Sequence, residues 1–167
     1  MNDDTVKKLR SEAQLQGISL NSFVNQILTS FLEWHMHEPK IGMVSFTKET
    51  ARELFTKMSK EQIIDMAKRV GTKEYQNAAI FITGGKMDLG SFLSWFENRM
   101  KNSSIQLSHV FDEKSRIHTY IVKHDICENW SLYFKEILVY IFDNVLDMPI
   151  EITIASRSML AFRFREY

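Results

Sequence analysis

The residues best equipped for chemistry cluster in the last third of the chain, where His109, His118, His124 and Cys127 lie within nineteen positions. Imidazole and thiolate are metal ligands, and His109 and His118 flank a turn, Asp112-Glu113-Lys114-Ser115, that would set them side by side on a hairpin. The set lacks the tight CxxC or HxxxH spacing of a zinc site, so exposed cross-strand histidines are the plainer expectation and no metal is assigned. Partly buried together, the two rings would make the sheet sensitive to mild acid. Asp125 would cap the helix that follows. Cys127, the single cysteine, is read as inert rather than as a redox sensor, and it excludes an intrachain disulfide framework.

Other groups are weaker. In Glu33-Trp34-His35-Met36-His37-Glu38 the histidines are two apart; on a helix they diverge by about 200° and cannot share an ion, so a polar helix end is expected. Gly84-Gly85-Lys86 lacks both the first glycine of a P-loop and the Ser or Thr after the lysine. No nucleophile–base set or acidic pair has a recognisable context, so no enzyme, catalytic residue or cofactor is expected.

The elements that must position these residues follow from periodicity. The segment DDTVKKLRSEAQLQG reads as a helix capped at Asp3 or Asp4, with Val6, Leu9 and Ala13 on one side and Gly17 as its stop. A second helix opens at Ser19 and carries Leu20, Phe23, Val24, Ile27, Leu28, Phe31 and Leu32 as a broad apolar stripe. Glu38-Pro39-Lys40 marks a boundary, giving a helical module over 1–38 and an α+β domain over 41–167. Within that domain we expect a strand at Ile41–Phe46, a helix at 47–58, and a second helix from the capping box Ser59-Lys60-Glu61-Gln62 to Gly71. Segment 73–83 fits either a helix or a strand, and 89–101 is helical. A hairpin (104–111 and 116–124), a helix (129–146) and a second hairpin (150–155 and 159–165) then predict a four-stranded antiparallel sheet with helices on one face. The core spacing of the long helix runs from Trp130 through Val145.

Residues 3–34 resemble the helical half of ribbon-helix-helix repressors, the superfamily of the Arc and methionine repressors. The matching residues are Asp3-Asp4, Val6, Leu9 and Ala13, the turn Gln16-Gly17-Ile18-Ser19, and Leu20-Asn21-Ser22-Phe23-Val24. The resemblance implies a dimer in which Phe23, Val24, Ile27, Leu28 and Phe31 interlock with a second copy. It also implies DNA phosphate held by Ser19, Leu20 and Asn21, with Lys7, Lys8 and Arg10 as auxiliary charges. The family reads bases with an N-terminal strand, for which Met1 and Asn2 are too short. Either an upstream start supplies it, or the dimer core is kept without base readout.

Charge offers DNA little help. The chain is neutral overall, and residues 1–40 carry Lys7, Lys8, Arg10 and Lys40 against Asp3, Asp4, Glu12, Glu33 and Glu38. The expectation is a cytoplasmic homodimeric transcription regulator whose α+β domain senses a small effector or adds oligomer contacts. The alternative is a scaffold that uses the N-terminal helices for assembly alone. No apolar run is long enough to span a bilayer and no signal peptide is visible.

Overall fold

The computed structural model describes residues 2–85 and 87–166, and it divides into two compact units, Met1–Met43 and Val44–Tyr167. Met1 itself, and the lysine of Gly84-Gly85-Lys86, lie outside the described residues.

The first unit is a pair of helices, α1 (Asp3–Leu15) and α2 (Leu20–Ser30), with a π-helical turn at Phe31–His35 extending the second. The cap of α1 is Asn2 rather than Asp3 or Asp4: its side chain accepts the Asp4 N–H at 2.9 Å. The two aspartates instead occupy the first turn, where their charge faces the positive end of the helix dipole. At the other end Gly17 takes the left-handed conformation (φ 67°), which closes a Schellman motif. The Gly17 N–H reaches Gln14 O and the Ile18 N–H reaches Ala13 O. Ser19 then caps α2, accepting the Ser22 N–H at 3.0 Å. The small Ala13 is the buried residue of α1 and lets α2 approach closely.

The second unit is α+β. Its helices are α3 (Lys48–Thr56), α4 (Lys60–Met66), α5 (Thr72–Thr83), α6 (Leu89–Asn102) and α7 (Glu128–Ile141). Its strands, β1 (Gln106–Asp112), β2 (Ile117–Lys123), β3 (Ile150–Ala155) and β4 (Met159–Arg165), form one antiparallel sheet in the order β1-β2-β4-β3. Alternation sends Tyr120, Val122, Leu160, Phe162 and Phe164 to the face packed by α6 and α7, where Phe96 meets Tyr120 and Phe162, and Phe142, just past the end of α7, meets Phe162 and Phe164. Phe92, Phe96, Tyr120, Phe142 and Phe162 are among the fully buried side chains, and their rings meet mostly edge to face.

Several expectations are corrected. Ile41–Phe46 is not a strand; the chain turns through Gly42 and runs without regular structure to Thr47, because no sheet edge pairs with it. The capping box at Ser59 and Gln62 is present, but its helix does not end at Gly71. A π-helical turn at Ala67–Gly71 carries it straight into α5, which settles segment 73–83 as helix. The extra residue in that turn rotates Val70 outward (46% exposed) and Gly71 inward against α7. A Cβ on Gly71 would sit 2.5 Å from Ile137 Cγ1. Gly71→Ala is therefore expected to destabilise the unit by about 1–3 kcal/mol in chemical denaturation, through overpacking rather than backbone strain. A third π-helical turn, Phe142–Leu146, ends α7 and swings Val145 out of the core, contrary to the spacing. The cap of α7 is the backbone of Cys127, not Asp125, which instead takes a left-handed φ of 56°.

Candidate functional site: an open apolar helix face and a histidine chain

In α2 the sequence puts apolar residues on every turn, yet no residue of the helix is buried. Phe23 and Val24 are half-buried, while Ile27, Leu28, Phe31 and Leu32 are 41%, 54%, 52% and 60% exposed. A run of four such side chains left in water is unusual for an isolated soluble surface. At the start of the same helix, Leu20 is half-buried and Ser19 and Asn21 are exposed; the Ser19 hydroxyl also shares a hydrogen bond with Ser22 Oγ at 2.8 Å. Lys7, Lys8 and Arg10 are exposed along α1, and Lys8 pairs with Asp4 at 3.2 Å. Lys8, one of the three cations expected to assist DNA binding, thus already has a counter-charge, though an exposed i,i+4 pair of this kind holds it only weakly.

The Glu33–Glu38 segment is an internally bonded helix end. The Trp34 indole N–H donates to Glu38 Oε1 at 2.7 Å, and His35 Nδ1 lies 2.9 Å from Glu38 Oε2. These bonds, led by the one to His35, hold the Glu38 carboxyl below its ordinary pKa. Trp34 is buried.

In the second unit the histidines divide. His109 pairs across the ladder with Tyr120, and His118 with Phe111, so the hairpin register is two residues longer than the turn Asp112–Ser115 implies. Asp112 accepts the N–H groups of Lys114 and Ser115, and Arg116 (φ 53°) joins the loop as its left-handed last residue. A slip of two keeps both rings on the predicted face, and they still meet on the diagonal, His109 Nε2 to His118 Nδ1 at 2.9 Å. From this pair a chain of polar groups extends both ways. His109 Nδ1 lies 3.6 Å from Glu97 Oε1, which accepts the Tyr120 hydroxyl at 2.7 Å, and His118 Nε2 lies 3.6 Å from Glu166 Oε2. His109 also stacks on Tyr120 with centroids 4.1 Å apart. Burial first, and then the neighbouring His118, push the His109 pKa down, while Glu97 opposes both. Burial and the Glu97 carboxylate push Tyr120 up, which keeps it a phenol.

His124 stands apart from that chain. It is fully buried, stacked on Trp130, with Nδ1 accepting the Ile126 N–H at 3.0 Å and Nε2 2.7 Å from Ser131 Oγ. Both ring nitrogens are thus engaged within the fold. Cys127 is buried as well. Among the described residues, no group of three or more His, Cys, Asp or Glu has the geometry to hold a metal ion.

Glu97, Glu166 and Ser131 were not singled out from the sequence. Each lies far along the chain from the histidine it meets or in an unremarkable helical position, and no local spacing marks it. Among the described residues the cavity between α5, α6 and α7, lined by Tyr75, Phe92, Trp95 and Ile137 among others, measures about 10 Å³, room for one water at most. Beside it the Arg99–Glu74 ion pair is closed, with the guanidinium 5.4 Å from the Trp95 ring centre. No helix among the described residues is long and apolar enough to cross a membrane.

Comparison with known proteins finds no matching family, no similar characterised sequence and no similar solved structure.

Proposed function

We propose that this chain is a homodimeric DNA-binding regulator in which α2 of one copy clasps α2 of another. The observation that carries the reading is the apolar face of α2 at Ile27, Leu28, Phe31 and Leu32, which its own unit leaves exposed. Burying a Leu or Phe side chain is worth roughly 1.5–3 kcal/mol, so a two-fold clasp that covers this face in both copies gains enough to hold a dimer. The DNA part rests on the resemblance to ribbon-helix-helix repressors and on the local geometry of the turn: a Schellman-closed α1, then an α2 whose start is capped by Ser19 and flanked by the exposed Asn21. Such a helix start favours a phosphate oxygen.

A second reading, assembly without DNA, is favoured by the charge of the first unit. Lys7, Lys8, Arg10 and Lys40 are outnumbered by five acidic residues, and Lys8 is paired.

The two readings separate in a titration of duplex DNA, followed by fluorescence anisotropy at 50 mM and 200 mM salt. For the regulator, binding at low salt weakens steeply as salt rises, and Asn21→Glu weakens it at least tenfold without changing the dimer mass. Affinity no tighter than about 0.1 mM at 50 mM salt, for any duplex, leaves only the assembly role.

A further inference from the structure

The two edges of the sheet are built differently. β3 follows Pro149, carries Glu151, and is broken by a register shift between Ile152 and Ile154. Proline, charge and a bulge are the usual means of stopping a strand from pairing with another chain. β1 has none of them in its interior. Its seven residues, Gln106–Asp112, stay in unbroken register with β2, and its one charged residue, Asp112, is the last. Along β1 all residues but Leu107 are exposed, Val110 to 61%. Alternate N–H and C=O groups of an edge strand face away from its neighbour, which makes β1 an uninterrupted template, charged only at its last residue, for one more strand.

We propose that β1 pairs antiparallel with β1 of a second copy, joining two four-stranded sheets into one across a two-fold axis at His109. The strand is complementary to itself in this register. Leu107 faces the partner's Phe111, an apolar pair on the helix-covered side. Ser108 faces the partner's Val110 on the open side, and Gln106 faces the partner's Asp112, an amide donor against a carboxylate. The only identical pair is His109 with the partner's His109, neutral over the range where burial and His118 hold its proton off. A second copy fits better than an unrelated extended peptide because every position finds a suitable mate and no like charges oppose.

A single seven-residue pairing buries far less than the roughly 1,000 Å² of a stable interface. The inference therefore rests on the α2 clasp, which holds the second copy at an effective concentration in the millimolar range.

The test uses the full chain: amide hydrogen exchange over residues 106–112, with mass in solution measured on the same samples. Wild type is expected to be a dimer whose outward-facing β1 amides are protected. The double variant Ser108→Lys/Val110→Lys sets lysines opposite lysines across the axis and should speed exchange of those amides at least tenfold, with the dimer mass kept by α2. Ser108→Glu/Val110→Lys sets opposite charges together and should restore protection, a rescue specific to this register. A wild-type dimer whose outward amides exchange freely overturns the β1 pairing and leaves the α2 clasp standing. Protection that survives in the double-lysine variant overturns it too, as does protection in a wild-type chain that sediments as a monomer. A monomer without protection removes both the clasp and the strand pairing.

Discussion

Leu28→Asp is expected to turn the proposed α2-clasped dimer into a monomer, raising its dissociation constant at least a thousandfold. Leu28 sits in the middle of the exposed stripe of α2, 54% accessible in a single copy, with Ile27 and Phe31 beside it. In a two-fold clasp each substitution acts twice. Two buried leucines are lost, at roughly 1.5–3 kcal/mol each, and two carboxylates must either stay in water or enter an apolar seam without partners. A total of about 4 kcal/mol already corresponds to a factor of about a thousand in affinity. Because the side chain is exposed in the single copy, the variant should fold with unchanged circular dichroism while its sedimentation coefficient falls. A dimer of undiminished mass would show that α2 is not the clasp.

The second large effect concerns pH. His124 is buried with its Nδ1 accepting a backbone N–H, so the neutral ring carries its proton on Nε2 and donates it to Ser131 Oγ. The Ser131 hydroxyl in turn donates to Ser156 O at 2.6 Å, tying the start of α7 to the β3–β4 turn. A second ring proton would break the bond to Ile126 and leave a cation without water. Burial accordingly pushes the His124 pKa down to about 4 from an ordinary 6.5. Below pH 6.5 the unfolded chain takes up a proton that the folded chain refuses. The stabilisation is thus complete above pH 6.5 and drains away as the pH falls toward 4. Between pH 7 and pH 5 the loss from this residue is about 2 kcal/mol, and His109 adds to it with the same sign. Carboxylates with lowered pKa, such as Asp88 and Asp112, act only at lower pH, so this window isolates the histidines. In denaturant unfolding, His124→Gln should be weaker than wild type at pH 7 yet lose less than half as much between pH 7 and pH 5. An undiminished slope in that variant would assign the acid sensitivity elsewhere.

The parts of the fold that were legible in the sequence are those with a strong local period. The hairpin–helix–hairpin of the last third follows from alternation in Ile117–Lys123 and Met159–Arg165 and from the helical spacing of Trp130, Phe134, Ile137 and Ile141. The Ser19 and Ser59 caps were legible for the same reason, since a cap is written within four residues. What was missed depends on distant partners or on one extra residue. Ile41–Phe46 has the composition of a strand but no edge to pair with. Gly71 resembles a helix stop, yet Ile137, sixty-six positions later, leaves room there for nothing larger. The histidines could be picked out, and even their shared face was right, but the Arg116 left-handed turn moved the register and Glu97 and Glu166 arrived from other elements.

The helical turns at 31–35, 67–71 and 142–146 each hold one residue more than an α-helix needs. A helix with such slack tolerates a change of length without unravelling: removing one residue from 68–70 would tighten the turn while Gly71 keeps its place against Ile137. A single-residue insertion or deletion at any of these three turns is therefore absorbed within the helix, with the residues on either side keeping their packing.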